Sequence, residues 1–193
     1  MQKVISVEPE VTRFDIVVGD GDCGNGLERG AEKVLDAFED QPAQQDLVLN
    51  MLRLVQAVEN SMDGTSGALY AIFLNSLAHH LRGGSEGGKV GVTAAFWSTA
   101  LKQGLTALEQ YTPAKAGDRT LIDALAPFVE TLSQTGSLKA AADAAWKGAE
   151  ATKGMKASLG RTVYVGGDGY KEVPDPGAYG LAALLTGFAE AAC

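Results

Sequence analysis

The sequence predicts an all-α fold, a bundle of about eight helical segments whose chemistry sits in the inter-helix loops. Three observations predict it: apolar residues recur at helical spacing almost throughout, alternating strand patterns are scarce, and glycine- or proline-bearing turns punctuate the chain. Those turns fall near 19–26, 41–43, 62–66, 83–88, 112–118, 134–137 and 158–177. Leu47, Met51, Leu54, Val55 and Val58 form one helical face, and Trp97, Leu101, Leu105 and Leu108 another. Leu121, Leu125, Phe128 and Leu132 repeat the pattern. Leu138, Ala141, Ala142, Ala145 and Ala149 make an alanine-rich stripe suited to close helix contact. These stripes are core rather than cofactor contacts. Arg161 to Val165 is the one short strand candidate.

A chain of 193 residues suits a single domain, 1–193, with a substantial core. Its apolar fraction of 46% is that of a globular protein, and no apolar run approaches the roughly 18 residues of a membrane span. The N-terminus lacks the basic, apolar and small-residue succession of a signal peptide. Two cysteines, Cys23 and Cys193, make no disulfide framework, so a reducing cytoplasm is expected. A net charge of −8 without a basic stripe argues against nucleic acid or an anionic membrane as partner, and no membrane anchor is expected.

The stretch D-I-V-V-G-D-G-D-C-G-N-G, from Asp15 to Gly26, carries the strongest functional signal. Asp15, Asp20 and Asp22 repel one another at this spacing and are difficult to hold together without a cation. Gly19, Gly21, Gly24 and Gly26 allow tight turns and bring backbone N–H groups towards a ligand. The combination suggests Mg2+ presented to a phosphate-bearing molecule. Gly19, Gly21 and Gly24 also satisfy the dinucleotide pattern G-x-G-x-x-G, but Asp20 and Asp22 would repel the pyrophosphate and no strand–helix alternation follows. An EF-hand starting at Asp20 fails because Asn25 replaces its glycine and Ala31 its glutamate. A solvated turn capping a helix accounts for one or two of the aspartates and poorly for all three. Cys23 among these carboxylates is a poor thiolate, and a packed or backbone-contacting role suits it better.

Three further segments have ligand-binding character. Gly64-Thr65-Ser66-Gly67 opens a helix, where hydroxyls and unpaired amides attract anions, although an ordinary cap needs one hydroxyl alone. Gly117-Asp118-Arg119-Thr120 precedes another helix, with Asp118 a natural N-cap and Arg119 free to pair with phosphate or carboxylate. Arg161 begins a polar loop that ends in Asp175-Pro176-Gly177, with Asp175 as cap and Pro176 at the first helical position. The four segments suggest one rim. The loop Gly83 to Lys89 mimics a P-loop, but Val90 stands where Ser or Thr must meet Mg2+. His79 and His80 point about 100° apart on a helix and are structural rather than a metal pair.

On these residues the chain resembles the nucleotide-binding, C-terminal domain of dihydroxyacetone kinases, especially the single-chain ATP-dependent type. The matching blocks are D-I-V-V-G-D-G-D-C-G at 15–24, D-G-T-S-G-A-L-Y at 63–70 and G-D-R-T-L-I-D-A-L at 117–125, with G-R-T-V-Y at 160–164 and D-P-G-A at 175–178. The resemblance implies a barrel of eight antiparallel helices holding ATP or ADP and two Mg2+ ions in loops at one end. The family's metal aspartates fall on Asp15, Asp20 and Asp22. Its nucleotide contacts fall on Cys23, Gly24, Asn25, Gly26, Thr65, Ser66, Leu121 (more often Met in the family), Arg161, Asp175, Pro176 and Gly177. One more falls on Thr112, where the family usually has glycine. The family's barrel can also enclose an apolar pocket that takes up lipid.

The resemblance implies γ-phosphoryl transfer to dihydroxyacetone, which the family holds on a separate domain or subunit through a covalent link to histidine. Nothing in this chain corresponds to that module. Met1 to Glu8 reads as the tail of a helix that starts earlier. The expectation is a fragment of a longer kinase, or a domain inactive without its partner, with a homodimer available through the full-length enzyme. A subsidiary form keeps its ADP and is recharged by a phosphotransferase protein; the D-G-D-C turn favours ATP exchange. The alternative is a non-catalytic Mg–nucleotide module for regulation or assembly, which Thr112 favours and the three aspartates oppose.

Overall fold

The structure is a computed structural model and describes residues 1–84 and 93–192. Helical periodicity dominates the outcome as it does the sequence. The elements are α1 (Gln2–Val18), α2 (Cys23–Asp40), α3 (Leu47–Glu59), α4 (Gly64–Gly84), α5 (Ala94–Leu108), α6 (Ile122–Thr135), α7 (Leu138–Ala151), the single-turn α8 (Thr162–Val165) and α9 (Pro176–Ala191). Side-chain caps start several of them: Asp46 accepts from the Val48 and Leu49 N–H groups, Thr93 from Phe96, Ser137 from Ala140 and Asp175 from Ala178. α6 ends at Gly136, whose φ of 66° supplies the left-handed stop.

Each long helix packs on the next, from α1 through α7, then α7 on α9 and α9 back on α1. The ring is thereby closed, an eight-helix barrel with α8 outside the count. α1 and α9 run antiparallel: Lys3 pairs with Glu190 at 2.7 Å at one end of the seam, and the Tyr179 hydroxyl donates to Glu10 at 2.8 Å further along. Phe14 then meets the Tyr179 ring edge-on at 5.1 Å. Small residues let the walls approach. Ala141, Ala145 and Ala149 of α7 and Ala178 and Ala182 of α9 are buried with Leu125, Phe128 and Val129 of α6. At Gly24 a Cβ would stand 2.2 Å from Thr12 Oγ1 and 2.8 Å from the Glu8 carbonyl, so α2 rests directly on α1.

Alternation of up and down helices sorts the connections between two ends. Residues 19–22, 60–63, 109–121 and 152–175 lie at one end, and 41–46 and 136–137 at the other. Arg161 to Val165 is helical rather than a strand, because the described residues contain no second strand to pair with it. The P-loop mimic lies outside the described residues, apart from Gly83 and Gly84 at the end of α4. His80 Nδ1 lies 2.7 Å from Gln103 Oε1, and its ring centroid 4.7 Å from that of Phe96. Among the described residues no helix is long and apolar enough to cross a membrane.

Candidate nucleotide and metal site

The acidic turn forms where α1 gives way to α2. Asp15, on the last full turn of α1, is buried, and its Oδ2 accepts the Cys23 N–H at 3.0 Å. Gly19 must be glycine: a Cβ there would stand 2.0 Å from Asp15 Oδ1. Gly21, at φ 82°, turns the chain back so that Asp20 and Asp22 face Asp15. One oxygen from each of the three carboxylates lies within 4.8 Å of the others. Burial first, then Asp20 and Asp22, push the Asp15 carboxyl above its ordinary value. A hard-oxygen donor set of three carboxylates fits Mg2+ or a similar divalent cation. Arg161, exposed at the start of α8, reaches across to Asp20 at 2.7 Å.

Three helix N-termini open at the same end of the barrel as this cluster. Cys23, Gly24, Asn25 and Gly26 form the first turn of α2; the Cys23 N–H goes to Asp15 and the Gly26 N–H to the Asp22 carbonyl. Gly64, at φ 70°, opens α4, followed by exposed Thr65 and half-buried Ser66. One turn on, the Tyr70 hydroxyl is buried without a hydrogen-bond partner. Burial above all, then the neighbouring Cys23 and Asp175, raises its pKa, and the residue packs against the buried Val4, Val11, Leu27 and Ala31 of α1 and α2. At the α9 start, Asp175 Oδ1 accepts the Ala178 N–H at 2.8 Å and Pro176 takes the first helical position. A Cβ on Gly177 would lie 3.8 Å from Leu121 Cβ, so the buried Leu121 backs that turn. Thr112 lies in the α5–α6 connection at the same end, its hydroxyl accepting the Ala114 N–H at 3.2 Å. The Cys23 thiol is pushed up by burial and by Asp15, Asp175, Asp22 and Asp20, as a packed rather than reactive cysteine requires.

The family model for the DAK2 domain matches residues 17–190. The chain belongs to the DAK2 domain family. This DAK2 domain is 45% identical over 199 aligned residues to a dihydroxyacetone kinase of Pichia angusta, covering 98% of this chain and 33% of that protein. It is 33% identical to the triokinase/FMN cyclase of Homo sapiens, covering 97% and 32% respectively. The dihydroxyacetone kinase of C. freundii, in its native form, superposes with a TM-score of 0.78 at 29% identity, covering 98% of this chain and 32% of that one. The same enzyme in complex with AMP-PNP and Mg2+ gives 0.72. The DAK2 domain thus spans about a third of the length of these relatives.

The structure corrects two readings of the G-D-R-T segment. Asp118 is not the cap of α6: it accepts from the Lys115 N–H at 2.8 Å and the Ser158 hydroxyl at 2.8 Å. The start of α6 is instead tied by Asp123, which accepts the Thr120 N–H at 2.8 Å while Thr120 Oγ1 accepts the Ile122 N–H at 3.2 Å. The T-x-x-D spacing was readable in the sequence, although the threonine hydroxyl takes the Ile122 N–H and not that of Asp123. Arg119 forms no ion pair with a carboxylate among the described residues; it is 1% exposed and donates to backbone carbonyls. Tyr70 closes the 63–70 block, but no role attached to it in the sequence, and the burial of its hydroxyl emerges only from packing.

Proposed function

We propose that this chain is the Mg–ATP-binding domain of a dihydroxyacetone kinase, passing the γ-phosphoryl group of ATP to dihydroxyacetone held by a separate substrate domain. The observation that carries the reading is the gathering of Asp15, Asp20 and Asp22 within 4.8 Å, at the end of the barrel where three helix N-termini open. Family membership and the AMP-PNP and Mg2+ complex of the C. freundii relative support it. The roughly one-third coverage of those relatives supports placing the acceptor on another part of a longer single-chain enzyme or on a partner chain.

The three aspartates would hold two Mg2+ ions, which would offset charge on the phosphate oxygens. The first turn of α2, Cys23 to Gly26, would present its Gly24 and Asn25 N–H groups to the phosphates, those of Cys23 and Gly26 being engaged by Asp15 and Asp22, and Thr65 and Ser66 on α4 would add hydroxyl donors. Asp175 to Gly177, Leu121, Arg161 and Thr112 would contact the rest of the nucleotide. These residues would position and neutralise; none of them is assigned as a base for the acceptor hydroxyl.

Calorimetry with ATP and ADP tests this, with and without Mg2+, on wild type and on Asp20→Ala plus Asp22→Ala. Metal-dependent binding is expected in the wild type and its loss in the variant. Adding a substrate domain is then expected to yield dihydroxyacetone phosphate, whereas the chain alone turns over none. Binding without turnover in the reconstituted pair would leave the non-catalytic nucleotide module as the reading.

A further inference from the structure

We propose that Arg119 is the positioning residue of the nucleotide half of the site, locking the α7–α9 connection so that Arg161 and Asp175 to Gly177 face the metal cluster. The inference rests on the nucleotide reading above and adds a residue that contacts no ligand. Arg119 Nη1 donates to the carbonyls of Thr152 at 2.5 Å and Tyr170 at 3.4 Å, and Nη2 to that of Val173 at 3.0 Å. Those acceptors bracket the 152–175 connection at its start and close to its end. Thr152 extends the lock, its Oγ1 accepting the Asp175 N–H at 2.7 Å. The backbone at Arg119 is itself fixed: φ is 61°, and Asp123 accepts the N–H groups of Gly117 at 2.6 Å and Thr120 at 2.8 Å on either side. An arginine held at positive φ persists only where its surroundings over-determine it. Removing its fork would leave buried carbonyls unpaired and free the connection.

The metal half is built differently. Asp15, Asp20 and Asp22 are held within residues 15–23 by the Cys23 N–H and the glycine turn. The exposed Arg161–Asp20 pair joins the halves at the surface. Loss of Arg119 is therefore expected to separate two affinities that a general loss of stability would lower together.

Three variants test this: Arg119→Met, Arg119→Lys and Thr152→Val. Each is followed by Mn2+ titration in electron paramagnetic resonance, by ADP calorimetry at saturating Mg2+, and by thermal melting. The expected result for folded Arg119→Met is an ADP affinity at least about tenfold weaker with Mn2+ affinity within about twofold of wild type. Arg119→Lys is expected to recover part of the loss, and Thr152→Val to weaken ADP severalfold with Mn2+ unchanged. Unaltered ADP affinity, or equal falls in both affinities, overturns the inference. If Arg119→Met does not fold, Thr152→Val decides by the same two readouts. A wild type that binds Mn2+ but not ADP fails the nucleotide reading itself, and the inference falls with it.

Discussion

Asp175 serves two demands that conflict electrostatically. It caps α9 through the Ala178 N–H, yet burial, with Asp123 and Asp15 nearby, pushes its carboxyl up to about 6, against the opposing pull of that hydrogen bond and of Arg119. A carboxyl whose folded pKa lies above the unfolded one binds its proton more tightly in the folded state. Its contribution to stability is full below the unfolded value of 3.8 and is lost as pH rises through about 6. Asparagine caps about as well as aspartate and carries no charge. The stability of wild type relative to Asp175→Asn is therefore expected to fall between about pH 4 and 6 and to level off above 7, by at most about 3 kcal/mol. Urea unfolding of both proteins across that range measures it, and a difference independent of pH contradicts the assignment.

Helix contact sets a different rule, one in which neighbouring glycines on α2 have opposite duties. Gly24 lies against α1, where a Cβ would meet Thr12 Oγ1 at 2.2 Å and the Glu8 carbonyl at 2.8 Å, whereas nothing lies within 4 Å of a Cβ at Gly26. Gly24→Ala must push α1 and α2 apart and is expected to cost about 1–3 kcal/mol. Gly26→Ala gains helix propensity and is expected to stabilise by about 0.5–1 kcal/mol. On the proposed nucleotide site it is also expected to weaken Mg–ADP binding, because the methyl group would stand beside the α2 amides assigned to the phosphates. Denaturation midpoints and ADP calorimetry on the pair check both signs. The same element scale shows why four loops could be picked out in the sequence: capping residues and turn glycines act within a few residues of themselves. Asp175 and Pro176 behave at α9 as their local chemistry dictates.

Over the whole molecule, closure of α9 on α1 separates function from scaffold by end. The acidic turn and the N-termini of α2, α4 and α9 share one end, and the 41–46 connection lies at the other. A five-residue Gly/Ser insertion after Ala43 is expected to leave Mg–ADP affinity within about twofold, since lengthening a surface loop costs little. The same insertion after Ala157 lengthens the connection that Arg119 ties down, and a loss of about tenfold is expected. Calorimetry on the two insertions, with melting curves as the folding control, reads the contrast; equal losses would mean that the ends are not independent.

The sequence by itself determined the helical class, the carboxylate cluster and the Asp175–Pro176 start of α9, because periodicity, like-charge crowding and turn propensity are encoded over a few neighbouring residues. Tertiary structure decided the rest. Arg119 looks in sequence like a free cation beside a helix start, and only the return of the α7–α9 connection supplies the carbonyls that bury it. Arg161 to Val165 has strand-like residues and became a helical turn, since no second strand lies among the described residues to complete its hydrogen bonds. Four separated segments reach one rim through ring closure, a long-range outcome of which helix faces bury each other, and no local pattern contains it.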